Sequence, residues 1–317
     1  MVLKRMRIQP WLGRLLILSA VCALSGGLQA QQATAPTPTA PAKADEQPLA
    51  LIMASKGPAM VTNLKRERYP ALPLQRLFKG HQIDLNAGAR VAIALPGAGQ
   101  QRVYTGPARL WVGAGAISVR PGPAPKVKAL SDDQLDLLQQ WLTEYPRRGN
   151  KADLKPTGNL EVLEPRQEAL LLSRSPEFQF RGELPREGSL LLFDGQGKRF
   201  WVQQLDKDWI HFPSSVGFDW GQNFTWEVRK ATGGRVLSGS FRIASEHTAR
   251  TLLAARVPQN EDSPLEDLAF YAMRLQLARA YDEADSIWTY LGIAVDRNGR
   301  PARIPPEQLS RLSKAQG

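Results

Sequence analysis

Few side chains in this sequence have the type and spacing that catalysis or metal binding requires. The three histidines, His81, His211 and His247, stand far apart, so none has a second histidine at metal-ligand spacing. Carboxylates are numerous, but without a defined spacing they do not indicate a glycosidase. The sequence has no Gly-x-Ser-x-Gly elbow, no His-Glu-x-x-His motif and no phosphate-binding loop before a helix. We therefore expect a protein that is not an enzyme and that holds no cofactor or metal.

Side chains suited to binding are concentrated in one aromatic segment of 27 residues. Its members are Phe200, Trp201, Trp209, Phe212, Phe218, Trp220, Phe224 and Trp226. Exposed aromatic rings stack on sugars or anchor protein partners, whereas a small sandwich without disulfides also needs large side chains to fill its core. The alternation of Phe224 and Trp226 with polar residues favours the core for that pair, while Trp209 and Trp220 lie near predicted loops. The candidate binding surface is formed by Trp209, Trp220, Trp201 and Phe218.

The elements that would carry these side chains follow an export segment. Residues 1–30 combine a basic head, about a dozen mostly apolar residues and a cleavage site at Leu28-Gln29-Ala30, as in a secretory signal peptide. The apolar run is shorter than the roughly 20 residues that cross a bilayer, which disfavours a retained membrane helix. Lipoprotein anchoring at Cys22, the only cysteine, is disfavoured because Val21 is not a small residue. We expect a periplasmic, cysteine-free protein with no integral membrane span after cleavage, and a disordered Ala/Pro/Thr linker at residues 31–48.

The chain carries an excess of positive charge, with a formal net charge of +11. Without the four cations of residues 1–30, 37 basic residues face 30 acidic ones. In an exported protein this excess would meet peptidoglycan, other anionic envelope polymers or lipid headgroups, and not nucleic acid. The favoured interpretation is nevertheless a solvated surface without a charged partner.

Residues 49–128 have the pattern of a β domain. Val91, Ile93 and Leu95 fall on one face of a run with period two, which predicts a half-buried strand. Turns rich in Gly and Pro separate this strand from similar short runs. Strands joined in this way predict an antiparallel roll or sandwich.

Three short motifs follow one another in this segment: LFKG at Leu77–Gly80, QIDL at Gln82–Leu85 and AGARVAI at Ala87–Ile93. In this order they resemble the FecR-type periplasmic domain, which typically has a leucine before a glycine-led turn, a short strand, a small-residue turn and a second strand. The resemblance implies a β-rich, extracytoplasmic, non-catalytic module used in envelope sensing or protein contact. This sequence differs at His81, where the family usually has an acidic residue. Members that regulate iron-uptake transcription also carry a cytoplasmic sigma-factor-binding segment before a membrane helix, and only the export segment and linker precede the domain here, so that role is not implied.

A connecting helix is predicted within residues 129–158. Ser131 and Gln134 form a capping-box pattern, and the leucines that follow at helical spacing share one face. We expect this face to dock on a β domain and the helix to stop at Pro146.

Residues 159–245 show a second β pattern. Alternating aromatic residues, such as Phe178 with Phe180, are separated by turn sequences, of which the clearest is Asp194–Gly197. About six or seven strands in this length predict an immunoglobulin- or fibronectin-III-like sandwich.

Residues 246–317 have the pattern of a helical hairpin. Ser263, Pro264 and Glu266 combine a cap, a proline in the first turn and a capping-box glutamate. Ala284 and Trp288 resemble half of a tetratricopeptide unit, but a stable array needs about three repeats. We therefore expect a single hairpin packed on the preceding sandwich.

Together these patterns predict a mainly β protein with a helical carboxy-terminal segment. The function that fits them is an exported, non-catalytic interaction or scaffold protein of the bacterial periplasm, as the extracytoplasmic part of an envelope signalling system with a protein partner. The alternative is a module that binds cell-wall glycan through exposed tryptophans.

Overall fold

The computed structural model describes residues 47–147, 160–213, 215–295 and 301–304. The predicted signal peptide and residues 31–46 of the predicted linker lie outside the described residues. Within them the chain is mainly β, and its helices are concentrated toward the carboxy-terminal end, which confirms the predicted fold class. No helix in the described ranges is both long enough and apolar enough to span a membrane.

The strands of residues 50–129 form two facing five-stranded sheets, which we call the first sandwich. They are β1 (Ala50–Lys56), β2 (Ala59–Thr62), β3 (Arg68–Pro70), β4 (Arg76–Leu77), β5 (Gln82–Leu85), β6 (Arg90–Leu95), β7 (Gln100–Thr105), β8 (Ala108–Val112), β9 (Ile117–Val119) and β10 (Lys126–Ala129). One sheet has the order β10-β7-β6-β1-β4 and the other β3-β2-β5-β8-β9. Apolar side chains from both sheets, among them Ile52, Val61 and Leu110, fill the space between them.

Strand β6 is buried on both faces, which corrects the prediction that it is half-buried. Val91, Ile93 and Leu95 point into the core of the first sandwich. Ala92 and Ala94 belong to a different apolar cluster on the outer side of the same sheet. Along β6, large apolar side chains therefore face the sandwich core and alanines face the outer side of the sheet. The small alanine side chains let other elements pack closely on the outer side.

Residues 161–243 form the second sandwich, again from two facing sheets. Its strands are β11 (Glu161–Glu164), β12 (Ala169–Leu171), β13 (Glu177–Arg181), β14 (Ser189–Phe193), β15 (Arg199–Gln204), β16 (Trp209–His211), β17 (Asn223–Arg229) and β18 (Arg235–Ile243). The sheets have the orders β11-β13-β16 and β12-β18-β17-β14-β15, and β12 pairs with β18 in parallel. This interleaved strand order is that of an immunoglobulin-type sandwich. Its β14–β15 hairpin turns at the predicted position, where Asp194 Oδ1 accepts from the backbone N–H of Gln196 and of Lys198, both at 2.9 Å.

Helices from two distant parts of the chain form the helical layer. They are α1 (Asp132–Arg147), α2 (Glu246–Ala254), α3 (Leu265–Leu277) and α4 (Tyr281–Tyr290). Their apolar side chains share one cluster with Met53 of β1 and Ala92 of β6, and Leu170 of β12 belongs to it as well. The helical layer therefore packs against both sandwiches.

Helix α1 begins with the predicted capping box. The Gln134 N–H donates to Ser131 Oγ at 3.3 Å, and the Ser131 N–H donates to Gln134 Oε1 at 3.1 Å. The helix ends at Arg147, one residue beyond Pro146. Its inward face docks as expected, because Leu138 and Trp141 are completely buried.

The carboxy-terminal segment differs from the predicted hairpin. It has a third helix, α2, and a short pair of strands, β19 (Ile293–Val295) and β20 (Pro301–Arg303). Helix α3 packs on β1 of the first sandwich and on α1. The prediction had placed the hairpin on the second sandwich alone. The reason lies in its sequence, since six consecutive residues, 268–273, are buried. A helix that is apolar on all sides must be covered on all sides.

Ion pairs join the α3–α4 hairpin to each sandwich. On the first sandwich, the Arg90 guanidinium donates to both carboxylate oxygens of Glu266, at 2.8 and 3.1 Å. On the second, Arg279 donates to Glu168 at 2.7 Å, and Arg166 pairs with Asp285. The Glu266 side chain is only 9% exposed, so its carboxylate depends on Arg90 for compensation.

Arg90→Ala is expected to reduce the free energy of unfolding by about 2–3 kcal/mol, because it leaves a buried carboxylate without its cation. Urea unfolding at neutral pH measures this. The matched control is Arg250→Ala, which breaks the exposed pair with Glu246 and should cost less than about 0.5 kcal/mol. Equal losses in the two variants would contradict a special role for the Arg90–Glu266 pair.

Candidate functional site

Most of the aromatic segment fills the core of the second sandwich. Phe218, Phe224 and Trp226 are 2%, 1% and 4% exposed. The rings of Phe200 and Phe212 lie 5.4 and 5.1 Å from that of Phe218. Phe218 is therefore part of the core and not of a binding surface, which corrects its place in the predicted surface. Phe218 lies outside the strands, and the rings of Phe200, Phe212 and Phe224 enclose it.

Trp201 and Trp220 are partly buried and serve mainly in packing. The Trp201 ring lies 4.6 Å from that of Phe212. Trp220 packs against the apolar clusters of both the helical layer and the second sandwich. The Arg174 guanidinium lies 6.0 Å from the Trp220 ring, at the limit of a cation–π contact. Among the described residues, no ring contact joins either of these two tryptophans to Trp209, so the three do not form one surface.

Trp209 is the member of the predicted surface that faces solvent, with 51% of its surface exposed. It lies on β16, where Ile210 points into the core and Trp209 and His211 point outward. The Trp209 and His211 rings lie 4.5 Å apart at an interplanar angle of 39°. His211 Nδ1 lies 3.1 Å from Glu177 Oε1 on the neighbouring strand β13. The tryptophan therefore rests on a side chain that is itself held in place.

The outer face of β11-β13-β16 surrounds this ring with polar groups. Strand register places Gln179 opposite Trp209 and Glu177 opposite His211. Further along the same face, Arg181 pairs with Glu161. We call the patch formed by Glu177, Gln179, Trp209 and His211 the Trp209 surface. It offers one apolar ring face and several hydrogen-bonding groups without a strong excess of either charge.

Strand β16 also leaves one backbone edge open. Within the described residues it pairs with β13 alone, because it is the last strand of its sheet. An open edge next to an exposed tryptophan provides both main-chain hydrogen bonds and an apolar anchor for an extended partner segment.

The three histidines do not form a metal site. His81 is buried beside Phe78, with ring centroids 5.4 Å apart. His211 belongs to the Trp209 surface, and His247 lies in the first turn of α2. Among the described residues, no group of three or more histidine, cysteine, aspartate or glutamate side chains could hold a metal ion.

An acidic cluster at the start of α4 escaped the sequence analysis. Burial raises the pKa of Asp282 to about 8, and the charges of Glu164 and Glu283 add to the rise. Burial also raises the pKa of Asp285 to about 6, although Arg166 opposes the shift. Acidic residues in a first helical turn usually face water and the helix dipole, so the sequence carried no signal that these would be partly buried.

Comparison with known proteins does not identify a family for this chain. No family model matches it, and no curated protein matches it. One similar solved structure, described as "Biofilm associated protein - BSP domain", has 9% sequence identity and a TM-score of 0.21. The similarity covers 59% of this chain and 24% of that chain, so it spans only a small part of that protein. At this TM-score the likeness carries no argument about fold or function.

Proposed function

We propose that this chain is an exported, non-catalytic interaction protein of the bacterial periplasm that binds a protein partner through the Trp209 surface. The observation that carries the proposal is the exposure of Trp209 on a sheet face where His211 and Glu177 hold it in place. Tryptophan is the residue most enriched at the centres of protein interfaces. A ring that is already positioned loses little conformational entropy on binding, so more of the contact energy remains as affinity.

Export is inferred from the signal-peptide pattern of residues 1–30. The FecR-type resemblance of residues 77–93 supports a role in envelope sensing, as the extracytoplasmic part of a signalling system. In this proposal the first sandwich and the helical layer form a scaffold that presents the second sandwich and its open β16 edge to the partner.

The second candidate function is binding of cell-wall glycan at the same surface. The feature in its favour is the combination of one exposed indole face with Gln179 and Glu177 beside it. Sugar rings stack on indoles through their C–H faces, and their hydroxyl groups need neighbouring amide or carboxylate partners.

Trp209→Ala is expected to weaken partner binding about tenfold or more while leaving thermal stability nearly unchanged, because the lost ring is an exposed anchor. The wild-type protein is immobilised, envelope extract is passed over it, and captured proteins are quantified by mass spectrometry. Tyr290→Ala, which removes an aromatic side chain that is 41% exposed on α4, serves as the matched control.

Capture of the same protein by wild type and Tyr290→Ala, but not by Trp209→Ala, supports the proposal. Equal capture by Trp209→Ala contradicts it. Sedimentation with insoluble peptidoglycan separates the second candidate. If high salt leaves that sedimentation intact and Trp209→Ala abolishes it, the ligand is glycan and not protein.

A further inference from the structure

The sheet β3-β2-β5-β8-β9 of the first sandwich has an outer face that none of the foregoing functions uses. Its inner face carries the apolar residues of the sandwich core, such as Val61, Ile83 and Leu110. The helical layer lies against the other sheet, through Met53 and Ala92. The side chains on the outer face of this sheet are partly or fully exposed.

Strand register arranges these outer side chains in two rows that cross the sheet. The first row contains Arg68, Thr62, Gln82, Trp111 and Ser118. The second row contains Pro70, Met60, Asp84, Arg109 and Arg120. Four strand spacings of about 4.8 Å separate β3 from β9, so the face is about 19 Å wide. We call it the Trp111 face.

Positive charge dominates the Trp111 face. The face carries three arginines and one carboxylate, and two of the arginines contact that carboxylate: Arg109 Nε donates to Asp84 at 2.7 Å, and Arg68 lies 3.6 Å from the same side chain. Gln82 also donates to Asp84 at 3.0 Å. Arg120 is exposed, and no carboxylate of the described residues pairs with it. Arginine has five N–H donors, so Arg68 and Arg109 keep free donors while Asp84 fixes their positions.

Trp111 lies in the middle of this charged surface. It pairs in register with Gln82 on one side and Ser118 on the other, and it is two residues from Arg109 on the same face of β8. The ring belongs to none of the apolar clusters of the described residues, so core packing does not account for it. A partly exposed indole between arginines combines a stacking platform with anion donors.

We propose that the Trp111 face binds an acidic polysaccharide built from uronic acid sugars. A sugar ring stacks on Trp111, and carboxylates of that sugar and its neighbours accept hydrogen bonds from Arg109, Arg120 and Arg68. The arginines are spread across the width of the sheet, which favours an extended polyanion over a small anion. The single aromatic ring disfavours single-stranded nucleic acid, whose binding sites stack successive bases on several rings.

This inference goes beyond the proposed function, since it concerns another sandwich and other residues. The excess of basic residues that remains after the signal peptide is set aside agrees with it, because an anionic polymer is attracted to such a surface over long distances. The Trp209 surface and the Trp111 face are tested with different ligands and variants, so either proposal can fail while the other stands.

The test is isothermal titration calorimetry in moderate salt, in which the purified protein is titrated with an oligogalacturonate long enough to span the face. A neutral maltooligosaccharide of the same length serves as the comparison ligand. We expect the acidic ligand to bind and the neutral one not to bind. Trp111→Ala and Arg120→Gln should each weaken binding about tenfold, through loss of stacking and of a charge-assisted hydrogen bond respectively.

The controls separate this site from general charge attraction and from misfolding. Lys207→Gln removes one exposed positive charge from the second sandwich, and Tyr290→Ala removes an exposed aromatic ring from α4. Both should bind oligogalacturonate as the wild type does. Arg120 has an exposed side chain, so Arg120→Gln tests the face without disturbing the fold, and Trp111→Phe should retain most of the affinity.

Two results would overturn the proposal. One is wild-type affinity in both Trp111→Ala and Arg120→Gln. The other is binding of polyphosphate or of a single-stranded oligonucleotide with the same affinity as oligogalacturonate and without dependence on Trp111, since the face would then respond to charge alone.

Discussion

Trp288→Ala is expected to lower the free energy of unfolding by about 3–5 kcal/mol, the cost typical of removing a large aromatic side chain from a packed core. Trp288 is fully buried, and its indole N–H donates to Gln276 Oε1 at 3.2 Å. Alanine would leave a cavity and would remove that donor from a buried amide oxygen. Urea unfolding followed by circular dichroism measures the loss.

The size of this effect reflects the position of Trp288 between distant parts of the chain. Its ring lies 6.3 Å from that of Trp141 on α1, which precedes the second sandwich in sequence. The apolar cluster around these two rings includes Met53 of the first sandwich and Leu170 of the second. Loss of the indole therefore weakens contacts between all three parts of the fold.

Trp209→Ala provides a matched control for this prediction, because it makes the same substitution at a side chain that is 51% exposed. It should change the free energy of unfolding by no more than about 0.5 kcal/mol. If the two variants lost equal stability, the helical layer would not hold the sandwiches together as described.

The protein is expected to be more stable near pH 5 than near pH 8. In the folded chain burial raises the pKa of Asp282 to about 8 and that of Asp285 to about 6, from ordinary values of 3.8. Burial also raises the pKa of Glu164 and of Glu283. The buried Oδ1 of Asp282 has no hydrogen-bond partner among the described residues, so ionisation there is poorly compensated.

The direction follows from which state binds the proton more tightly. Each raised pKa means that the folded chain keeps a proton that the unfolded chain has released. The stabilisation is complete below the unfolded pKa and is lost as the pH rises through the folded pKa. Between pH 4 and 8 the free energy of unfolding therefore falls by about 1.4 kcal/mol per pH unit for each proton held only in the folded state.

Asp282→Asn is expected to raise stability at pH 8 and to flatten the decline between pH 5 and pH 8. Asparagine has nearly the shape of a protonated aspartate but cannot ionise. Thermal unfolding at both pH values measures the change, and Glu261→Gln, which neutralises an exposed loop carboxylate, should leave the decline unaltered. If the stability of the wild-type protein rose from pH 5 to pH 8, the raised pKa values of these carboxyl groups in the folded chain would be wrong.

The pH-sensitive contact lies between the second sandwich and α4, because Arg166 pairs with Asp285 across that boundary. Its chemistry bears on the scaffold role proposed above. Acidification relieves the repulsion of Asp282 by Glu164 and Glu283 at this boundary, so partner binding measured at different pH values needs the stability profile beside it.

Much of the local structure was predictable from short-range patterns. The Ser131–Gln134 capping box, the Asp194–Gly197 hairpin turn and the inward alternation of Phe224 with Trp226 all depend on neighbouring residues and appear as predicted. The position of Trp209 near a predicted loop left its exposure open, and the structure places it at the surface. Such features follow from the helix and strand repeats and from turn geometry, which a few residues determine.

The sequence by itself determined the mainly β character, the helical carboxy-terminal segment and the candidate role of Trp209. Only the tertiary structure decided that α3 lies against the first sandwich, that Phe218 is enclosed by other rings, that Asp282 is partly buried with its Oδ1 enclosed and that Trp111 shares a face with three arginines. Each of these depends on strand register or on packing between residues far apart in the chain. Hydrophobic periodicity states which side of an element is apolar, but not which distant element will cover it.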